Sequence, residues 1–410
     1  MVEMLEEKIK ELLIDKSSWK LTKFGEVAIQ QKKSVDRENT SLTKYVKGEH
    51  MGSEDLHLRK WGELTDEYLG PAFIRYFEKD DILYGSRRTY LRKVVIAPFE
   101  GITSNTTFVI KANDKKIDKR LLPFIMMTDD FTEHSVRNSK GSVNPYINWK
   151  DISEYEFLLP PKNQQVLLSE LLWAMDEVIE REKYLLNNLK INLDSLIEKE
   201  IHGIDISGKT IKMVIEELSK KMEVVTLNSL GVFLKGKGIS KSDVVDSGIP
   251  CVRYGELYTK HHRVIRKYYS FVTRAKADQS FRLERNDIMF AGSGETITEI
   301  GKSASFVDDL EVYAGSDTLV FRPKEMDGFY LGYLMNSQFV RKQLNKFGTG
   351  ATVMHIYPSD IKKIKVPLIN IENQKVIASK LEKFTSNIES LALKIKSSQS
   401  LQKSIINQIF

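Results

Sequence analysis

Cysteine is almost absent from this chain. Cys251 is the only cysteine among 410 residues, which excludes an internal disulfide and a zinc site built from several cysteines. No uninterrupted apolar run approaches the roughly 18–20 residues of a membrane span. The first residues, MVEMLEEKIKELL, are acidic and helix-forming, unlike a secretory signal. These absences predict a cytoplasmic protein with no membrane partner.

Motifs for catalysis or metal binding are also missing. The stretch GETITEIGKS at 294–303 resembles a phosphate-binding loop, but six residues separate its glycines where four are required. NPY at 144–146 lacks the second proline and the preceding glycine-rich loop of aminomethyltransferases. The histidine pair at 261–262 has no further metal-ligand spacing, which favours a solvated surface. We predict no catalytic residue, metal or cofactor on this chain.

Two long heptad patterns, at 163–200 and 371–410, are the clearest feature that is present. Neither contains an internal glycine or proline, so each predicts a helix that buries one narrow seam. Glu182 interrupts the first seam, and polar residues occupy two positions of the second. The apolar seam residues are Leu168, Leu172, Met175, Ile179, Leu186, Leu189, Leu193 and Leu196, then Ile377, Leu381, Phe384, Ile388, Leu391, Ile395 and Ile405.

The two heptad stretches match in phase and differ in charge. Each seam position of the second lies 209 residues after its counterpart in the first. Residues 163–200 carry four Lys/Arg and eight Asp/Glu, a balance of −4, whereas residues 371–410 carry six Lys and three Glu, a balance of +3. Opposite charge favours pairing of the two with each other. We predict an antiparallel coiled coil; the alternative is two amphipathic helices on separate cores.

An internal repeat covers most of the chain. Its matched segments keep one collinear order while their offset drifts only between 206 and 211 residues. The matches are LTKFGEV at 21–27 with LNSLGVF at 227–233, DILY at 81–84 with DIMF at 287–290, TTFVI at 106–110 with DTLVF at 317–321, RNSKG at 137–141 with KFGTG at 346–350, and Gln165 with Gln374. The chain is therefore predicted to be duplicated, with pseudo-twofold symmetry.

Each half is predicted to contain a short helix, an α/β (α+β) body and a long helix. Strands are expected at 93–99, 106–110, 154–159, 287–290, 317–321 and 363–366, and helices at 3–14, 121–127, 211–221 and 330–335. The predicted domains are the first body with its short helix (1–160), the first long helix (161–202), the link and second body (203–368), and the second long helix (369–410). The paired helices are expected to separate the two bodies.

Over essentially its full length, the chain resembles the specificity subunit of type I restriction-modification systems. The resemblance rests on the order of parts, with a Pro-Pro and Gln-Gln lead-in at 160–165 before the first long helix and a Val-Pro lead-in with Gln374 before the second. It also rests on four short sequence segments that resemble those of the family. These are YVKGEHM at 45–51, GIPCVRYG at 248–255, GSGETITEIGK at 292–302 and FGTGATVMHI at 347–356.

The resemblance implies a function. Each body would be a target recognition domain for one half of a bipartite, asymmetric sequence in double-stranded DNA, and the helices would set the spacer between the half-sites. The resemblance also implies two modification subunits, which bind S-adenosylmethionine and methylate adenine, and restriction subunits, which use ATP and Mg²⁺. The chain itself would catalyse nothing within this methyltransferase and endonuclease complex.

Basic loops supply the candidate DNA contacts. GSRRTYLRK at 85–93 places Arg87, Arg88, Arg92 and Lys93 around Tyr90, and arginine can hold phosphates or bind a guanine edge. The alternative is a solvated turn between two strands. The other candidates are Ser139, Lys140, Ser142, Lys235, Lys237, Arg253, Ser293, Thr296, Thr349 and Thr352.

Charge distribution and the missing motifs help to choose between a DNA-binding subunit, a coiled-coil scaffold and a self-contained enzyme. Residues 15–150 hold 24 Lys/Arg and 19 Asp/Glu, a balance of +5, and residues 222–364 hold 20 and 16, a balance of +4. A positive excess favours a polyanionic partner only weakly. One alternative is a coiled-coil scaffold with no DNA role, which would show no salt-sensitive DNA binding. A DNA-binding specificity subunit should instead lose affinity for DNA steeply as the salt concentration rises. A self-contained enzyme would transfer methyl groups or turn over nucleotides alone, and the missing motifs argue against it.

Overall fold

The computed structural model describes residues 15–36, 39–65, 67–294, 300–347 and 354–410. Its contacts divide the chain into two compact units, Met1–Lys183 with Leu393–Phe410, and Tyr184–Ala392. The domain boundaries predicted above follow the ends of the long helices, whereas each unit combines one body with part of both helices. The short helix predicted at 3–14 lies outside the described residues.

The first unit contains ten strands and five helices among its described residues. The strands are β1 (Lys20–Lys23), β2 (Ala28–Gln31), β3 (Lys44–Val46), β4 (Gly62–Glu63), β5 (Phe73–Phe77), β6 (Ile82–Gly85), β7 (Val94–Ile96), β8 (Gly101–Ser104), β9 (Thr107–Ala112) and β10 (Glu156–Leu159). The helices are α1 (Phe24–Val27), α2 (Leu122–Ile125), α3 (Asp129–Arg137), α4 (Trp149–Ser153) and the first part of α5 (Lys162–His202).

Two four-stranded sheets and one strand pair form the first body. One sheet has the order β2-β9-β6-β7, the other has the order β4-β3-β8-β5 with β3 parallel to β8, and β1 pairs with β10. The strands of the first sheet are buried on both faces because alternate side chains enter two cores. Leu83 and Val109 pack toward the second sheet, while Ile82 and Ile110 join the core that includes the helices.

The second unit repeats this arrangement. Its strands are β11 (Val224–Thr226), β12 (Gly231–Lys235), β13 (Ile249–Val252), β14 (Arg263–Val264), β15 (Ser270–Val272), β16 (Phe281–Arg282), β17 (Ile288–Ala291), β18 (Ser293–Gly294), β19 (Ser303–Ser305), β20 (Tyr313–Ala314), β21 (Thr318–Pro323), β22 (Met354–His355) and β23 (Lys365–Pro367). Its shorter helices are α6 (Ile211–Leu218), α7 (Tyr254–Thr259), α8 (Arg274–Ala277), α9 (Gly328–Met335), α10 (Gln338–Phe347) and α11 (Pro358–Ile361).

The sheets of the second body match those of the first in order. The order β12-β21-β17-β19 corresponds to β2-β9-β6-β7, and β14 extends it by one strand. The order β15-β13-β20-β16 corresponds to β4-β3-β8-β5, again with a parallel central pair, and β11 pairs with β23 as β1 pairs with β10. The duplicated α/β (α+β) fold predicted from the repeat is confirmed.

The long helices are α5 and α12 (Ile371–Ile409), and both run without interruption. All fifteen predicted seam residues are buried or half-buried. In the first unit, the Gln402 side chain donates to the Leu172 carbonyl at 3.4 Å, and Lys394 contacts Glu182 at 2.8 Å. A later residue of α5 therefore meets an earlier residue of α12, so the helices are antiparallel. In the second unit, Lys380 forms an ion pair with Glu200.

Gln165 and Gln374 have the same role in the two units. Gln165 Oε1 accepts from the backbone N–H of Asp118 at 2.7 Å, and Gln374 Oε1 accepts from that of Asp327 at 2.9 Å. The side-chain amide of each glutamine donates to a carbonyl just before its own long helix. Both glutamines are buried. Each joins the start of a long helix to the loop before a short helix of its body, which explains their recurrence in the sequence.

Most predicted elements occur close to the expected positions. The strands predicted at 106–110 and 317–321 correspond to β9 and β21, and the helix predicted at 330–335 lies within α9. Several other short strands, among them β3, β4 and β8, were not predicted. A segment of two to four residues contains few alternating positions, so its strand pattern is weak.

Candidate nucleic-acid interface

Two loops predicted separately as DNA contacts lie side by side in the first unit. Residues 85–93 connect β6 to β7, and residues 139–146 follow α3. Arg87 forms a β-bridge with Tyr146, and the Arg88 N–H donates to the Pro145 carbonyl at 2.7 Å. The second loop is closed by two hydrogen bonds between the backbones of Lys140 and Tyr146. We call residues 85–93 and 139–146 together the paired-loop surface.

The side chains exposed on the paired-loop surface are basic, aromatic and small. Arg87, Arg88, Lys140 and Ser142 are exposed, and Tyr90 is 53% exposed. Within the described part of the chain, neither arginine has a carboxylate oxygen within 4.0 Å of its guanidinium. Their charges are therefore available to an anionic ligand.

Arg88 is held in a fixed conformation on this surface. Its backbone has φ of 52°, the left-handed region that non-glycine residues rarely occupy. Its Nε donates to Asn144 Oδ1 at 3.1 Å, so the second loop positions the guanidinium of the first. Asn144 is exposed, and the pattern had not singled it out as a contact. It belongs to NPY at 144–146, whose residues thus bridge two loops.

Arg92 and Lys93 lie differently from the two exposed arginines. The side chain of Arg92 is only 12% exposed, and its guanidinium contacts the Asp129 carboxylate, the Met127 carbonyl and Glu54. Lys93 is half-buried and donates to the Gly48 carbonyl. These contacts anchor the first loop to its body. The basic pattern could not separate anchoring arginines from exposed ones.

The second loop is also fixed by polar contacts. Ser139 is half-buried, donates to the Ser135 carbonyl at 2.7 Å and lies 3.3 Å from the Thr89 hydroxyl. Lys140 lies 3.3 Å from Asp151. A hydrogen bond from Asn148 and then the Lys140 ammonium lower the pKa of the Asp151 carboxyl. The loop therefore presents Ser142 from a supported backbone.

The equivalent place in the second unit has the same backbone pairing. Ser293 pairs with His355, as Arg87 pairs with Tyr146, and the offsets of 206 and 209 residues are those of the repeat. The side chain of Ser293 and the residues Thr296, Thr349 and Thr352 lie outside the described part of the chain. Residues 295–299 of the phosphate-loop-like stretch at 294–303 lie outside it as well.

The remaining candidates of the second unit differ in exposure. Lys235 and Lys237 are exposed at the end of β12, whereas Arg253 is half-buried. Arg253 Nε donates to Ser270 Oγ at 3.0 Å and lies 3.4 Å from Glu256 Oε1. Ser270 and Glu256 thus fix the direction of this guanidinium.

The prediction that His261 is solvated is wrong. His261 is 6% exposed and lies 3.7 Å from the buried Glu256. Burial alone would raise the pKa of the Glu256 carboxyl, but the nearby His261 ring and a hydrogen bond from Ser270 lower it. A basic sequence context did not reveal this buried acid–base cluster.

The described ranges contain neither a cluster of metal-ligand side chains nor a membrane-spanning helix. No group of three or more His, Cys, Asp or Glu side chains there could hold a metal ion. No helix among the same residues is both long and apolar enough to cross a membrane.

Known proteins resemble this chain in sequence. The model of the type I restriction modification DNA specificity domain matches residues 16–190 and 219–398. The type I restriction enzyme MjaVIII specificity subunit of Methanocaldococcus jannaschii is 22% identical over 313 residues, 74% of this chain and 71% of that protein. The EcoDI specificity subunit of Escherichia coli is 34% identical over 125 residues, 30% of this chain and 27% of that protein.

Solved structures share the fold. A chain from a structure of the complex assembly and conformational transition of the type I R-M system has a TM-score of 0.60 at 16% identity, covering 96% of this chain and 97% of that one. The type I restriction-modification S subunit from M. genitalium has a TM-score of 0.56 at 14% identity, covering 97% of both chains. With family matches in both halves, the chain belongs to the type I restriction-modification DNA specificity family and is a specificity subunit with two target recognition domains.

Proposed function

We propose that the two target recognition domains bind different half-sites of one asymmetric sequence in double-stranded DNA. The observation that carries this proposal is the paired-loop surface, where two loops about fifty residues apart join to expose arginine and tyrosine side chains. A coiled-coil scaffold without a DNA role would not require such a surface. Family membership likewise favours DNA recognition over the scaffold.

The side chains of the paired-loop surface suit duplex DNA. Among the described residues, Arg88 contacts Asn144 through its Nε, so its terminal NH₂ groups can bind two phosphate oxygens or the O6 and N7 atoms of guanine. Arg87 adds a second positive charge, and Tyr90 can pack on a sugar or a base edge. Ser142 and Lys140 extend the contact from the second loop. Arg92 and Lys93 are assigned to support of the loop.

The second target recognition domain is proposed to bind DNA through the equivalent region. The backbone pairing of Ser293 with His355 supports this assignment, because it repeats the pairing of Arg87 with Tyr146. The residues assigned to the second half-site are Lys235, Lys237, Arg253, Ser293, Thr296, Thr349 and Thr352.

We assign the roles of the long helices and of the partner subunits from membership of the family. The paired helices set the spacing of the two half-sites. Two modification subunits with S-adenosylmethionine methylate adenine, and restriction subunits with ATP and Mg²⁺ complete the nuclease, so the chain itself catalyses no reaction. Because its substrate is cellular DNA, we assign the complex to the cytoplasm, where a lone reduced cysteine is expected.

An exposed apolar stripe on α5 is proposed to dock a modification subunit. Leu167, Leu171, Ala174 and Val178 are all exposed, and their spacing of four, three and four residues repeats the heptad pattern on a second face of the helix. Such spacing suits a partner helix, because knobs of one helix fill holes of the other. The equivalent positions of α12 include Lys380 and Lys383, so this apolar stripe is specific to α5.

DNA binding by the complex with its modification subunits tests the proposal. Changing Arg87 and Arg88 to Ala should weaken target binding about 10-fold or more and lower the salt-dependence slope by about one for each phosphate contact removed. Lys79→Ala is the matched control, because Lys79 is exposed at the opposite end of β6. Unchanged affinity and salt slope in the double variant would rule out the paired-loop surface as the DNA contact.

A further inference from the structure

An ion pair between body and long helix occurs in both units with reversed charge. In the first unit, Glu54 of the body lies 2.7 Å from Lys403 of α12. In the second unit, Arg263 of the body lies 2.8 Å from Asp194 of α5. Asp194 and Lys403 are 209 positions apart, the offset that relates the two long helices. The two ion pairs therefore use equivalent positions of the long helices.

The body residues of the two ion pairs share an unusual backbone conformation. Glu54 has φ of 52° and Arg263, the first residue of β14, has φ of 63°. Non-glycine residues rarely adopt this left-handed conformation, particularly with long side chains. Each body thus directs a charged side chain toward a long helix from a left-handed residue, although the charge is negative in one body and positive in the other.

A second contact, one turn further along each long helix, also differs in charge between the two units. In the first unit, the backbone N–H of Asp129 donates to Asn407 Oδ1 at 2.7 Å, and in the second unit the backbone N–H of Gln338 donates to the Glu198 carboxylate. These positions are again 209 residues apart. The first turn of α3 already carries two acidic side chains and receives a neutral amide, whereas the first turn of α10 carries none and receives a carboxylate.

The apolar seam by itself does not discriminate between partners. Its positions repeat in phase, so either half of the chain, residues 1–202 or residues 210–410, could pair with a second copy of itself as readily as with the other half. The charged residues make pairing with a second copy less favourable than pairing with the other half. Two copies of the first half would place Asp194 opposite Glu54 and Glu198 opposite Asp129, and two copies of the second half would place Lys403 opposite Arg263.

We infer that Glu54, Lys403, Arg263 and Asp194 select pairing between unlike halves of the chain. The first half carries the acidic residues Glu54 and Asp194, and the second half carries the basic residues Arg263 and Lys403. Each half therefore attracts the other half and repels a second copy of itself. Opposite charges at fixed positions favour one partner, and like charges disfavour the other. If the proposed function is correct, this selection keeps the two different recognition domains of one chain paired with each other, as an asymmetric target requires, and disfavours pairing of like halves from two chains.

The full-length chain tests this inference because single substitutions recreate the rejected contacts. Lys403→Asp places Asp opposite Glu54, as in a pair of first halves. Asp194→Lys places Lys opposite Arg263, as in a pair of second halves. Lys403→Asn and Asp194→Asn are the matched controls, because each removes the charge without reversing it.

The expected result is a lower thermal unfolding midpoint in each charge-reversed variant than in its neutral control. For a unit of about 200 residues, one repulsive contact should lower the midpoint by about 2–4 °C. The difference should narrow in high salt, because these side chains are partly exposed.

A double-mutant cycle assigns the effect to the named pairs. The difference in midpoint between Lys403→Asp and Lys403→Asn should narrow when Glu54 is changed to Gln, and the difference between Asp194→Lys and Asp194→Asn should narrow when Arg263 is changed to Gln. The part that remains at position 403 is due to Asp129, whose carboxylate lies 3.7 Å from the Lys403 ammonium. Equal midpoints for reversed and neutral variants, or differences that are unchanged without Glu54 and Arg263, would overturn the inference. Neither result involves DNA, so the proposed function is tested separately.

Discussion

Glu182 and Lys394 form an ion pair of 2.8 Å within the seam of the first unit. Glu182 is the one polar residue among the seam positions of α5 and is 8% exposed, whereas the side chain of Lys394 is 65% exposed. A buried carboxylate is costly unless it is paired, so the pair opposes any sliding of one helix along the other. The apparent defect in the heptad pattern therefore fixes its register.

Removing the ammonium should destabilise the coiled coil. We expect Lys394→Ala to lower the free energy of unfolding by about 1–3 kcal/mol, because it leaves the Glu182 carboxylate buried without its cation. Lys396→Ala, an exposed lysine on the same helix, should change it by less than about 0.5 kcal/mol. Urea unfolding of both variants measures the difference. Equal stabilities would show that the pair contributes nothing to the seam.

A buried pair in the second unit predicts opposing pH dependences. Burial raises the pKa of Glu198 to about 7 and lowers that of His202 to about 4. The folded state then binds more protons than the unfolded state at Glu198, so this residue's contribution to stability falls as pH rises from about 4.5 to about 7. At His202 the unfolded state binds more protons, so that contribution rises as pH increases from about 4 to about 6.5.

Single substitutions should separate these two contributions. Glu198→Gln retains an oxygen that accepts from the Gln338 backbone, and its free energy of unfolding should rise by up to about 3 kcal/mol between pH 4 and 6.5. In His202→Gln, the free energy should fall by a similar amount between pH 4.5 and 7. Urea unfolding across this pH range tests both. Parallel profiles for the two variants would contradict the assignment.

The long helices are predicted to set the DNA spacer. Deleting one heptad from the middle of each helix keeps the seam in phase and shortens each by about 10 Å at 1.5 Å per residue. Because base pairs are spaced about 3.4 Å apart, the preferred spacer should shorten by about three base pairs. Methylation mapping with the shortened chain measures the spacer directly. An unchanged spacer would mean that another part of the complex sets it.

Features governed by periodicity could be predicted from the sequence. The seam residues and both long helices appear because every turn of a helix repeats one apolar face. The duplication was visible because the matched segments, among them Gln165 and Gln374, keep one collinear order at a nearly constant offset.

Features governed by long-range contact could not be predicted. Arg88 and Arg92 belong to one basic cluster, yet Arg88 is exposed beside Asn144 while Arg92 is held against Asp129, and both partners lie more than 35 positions away. The burial of His261 depends likewise on the packing around Glu256. Composition indicates how many charges a loop carries, while tertiary contacts decide which of them remain exposed.

Mapping methyladenine by single-molecule sequencing tests the central claim most directly. Cells would express this chain with its cognate modification subunit, and a control strain would lack the chain. One bipartite, asymmetric methylated sequence should appear only when the chain is present, and it should be lost or relaxed in one half when Arg87 and Arg88 are both Ala. Co-purification of the two proteins without any methylated motif, or a motif that appears without the chain, would contradict it.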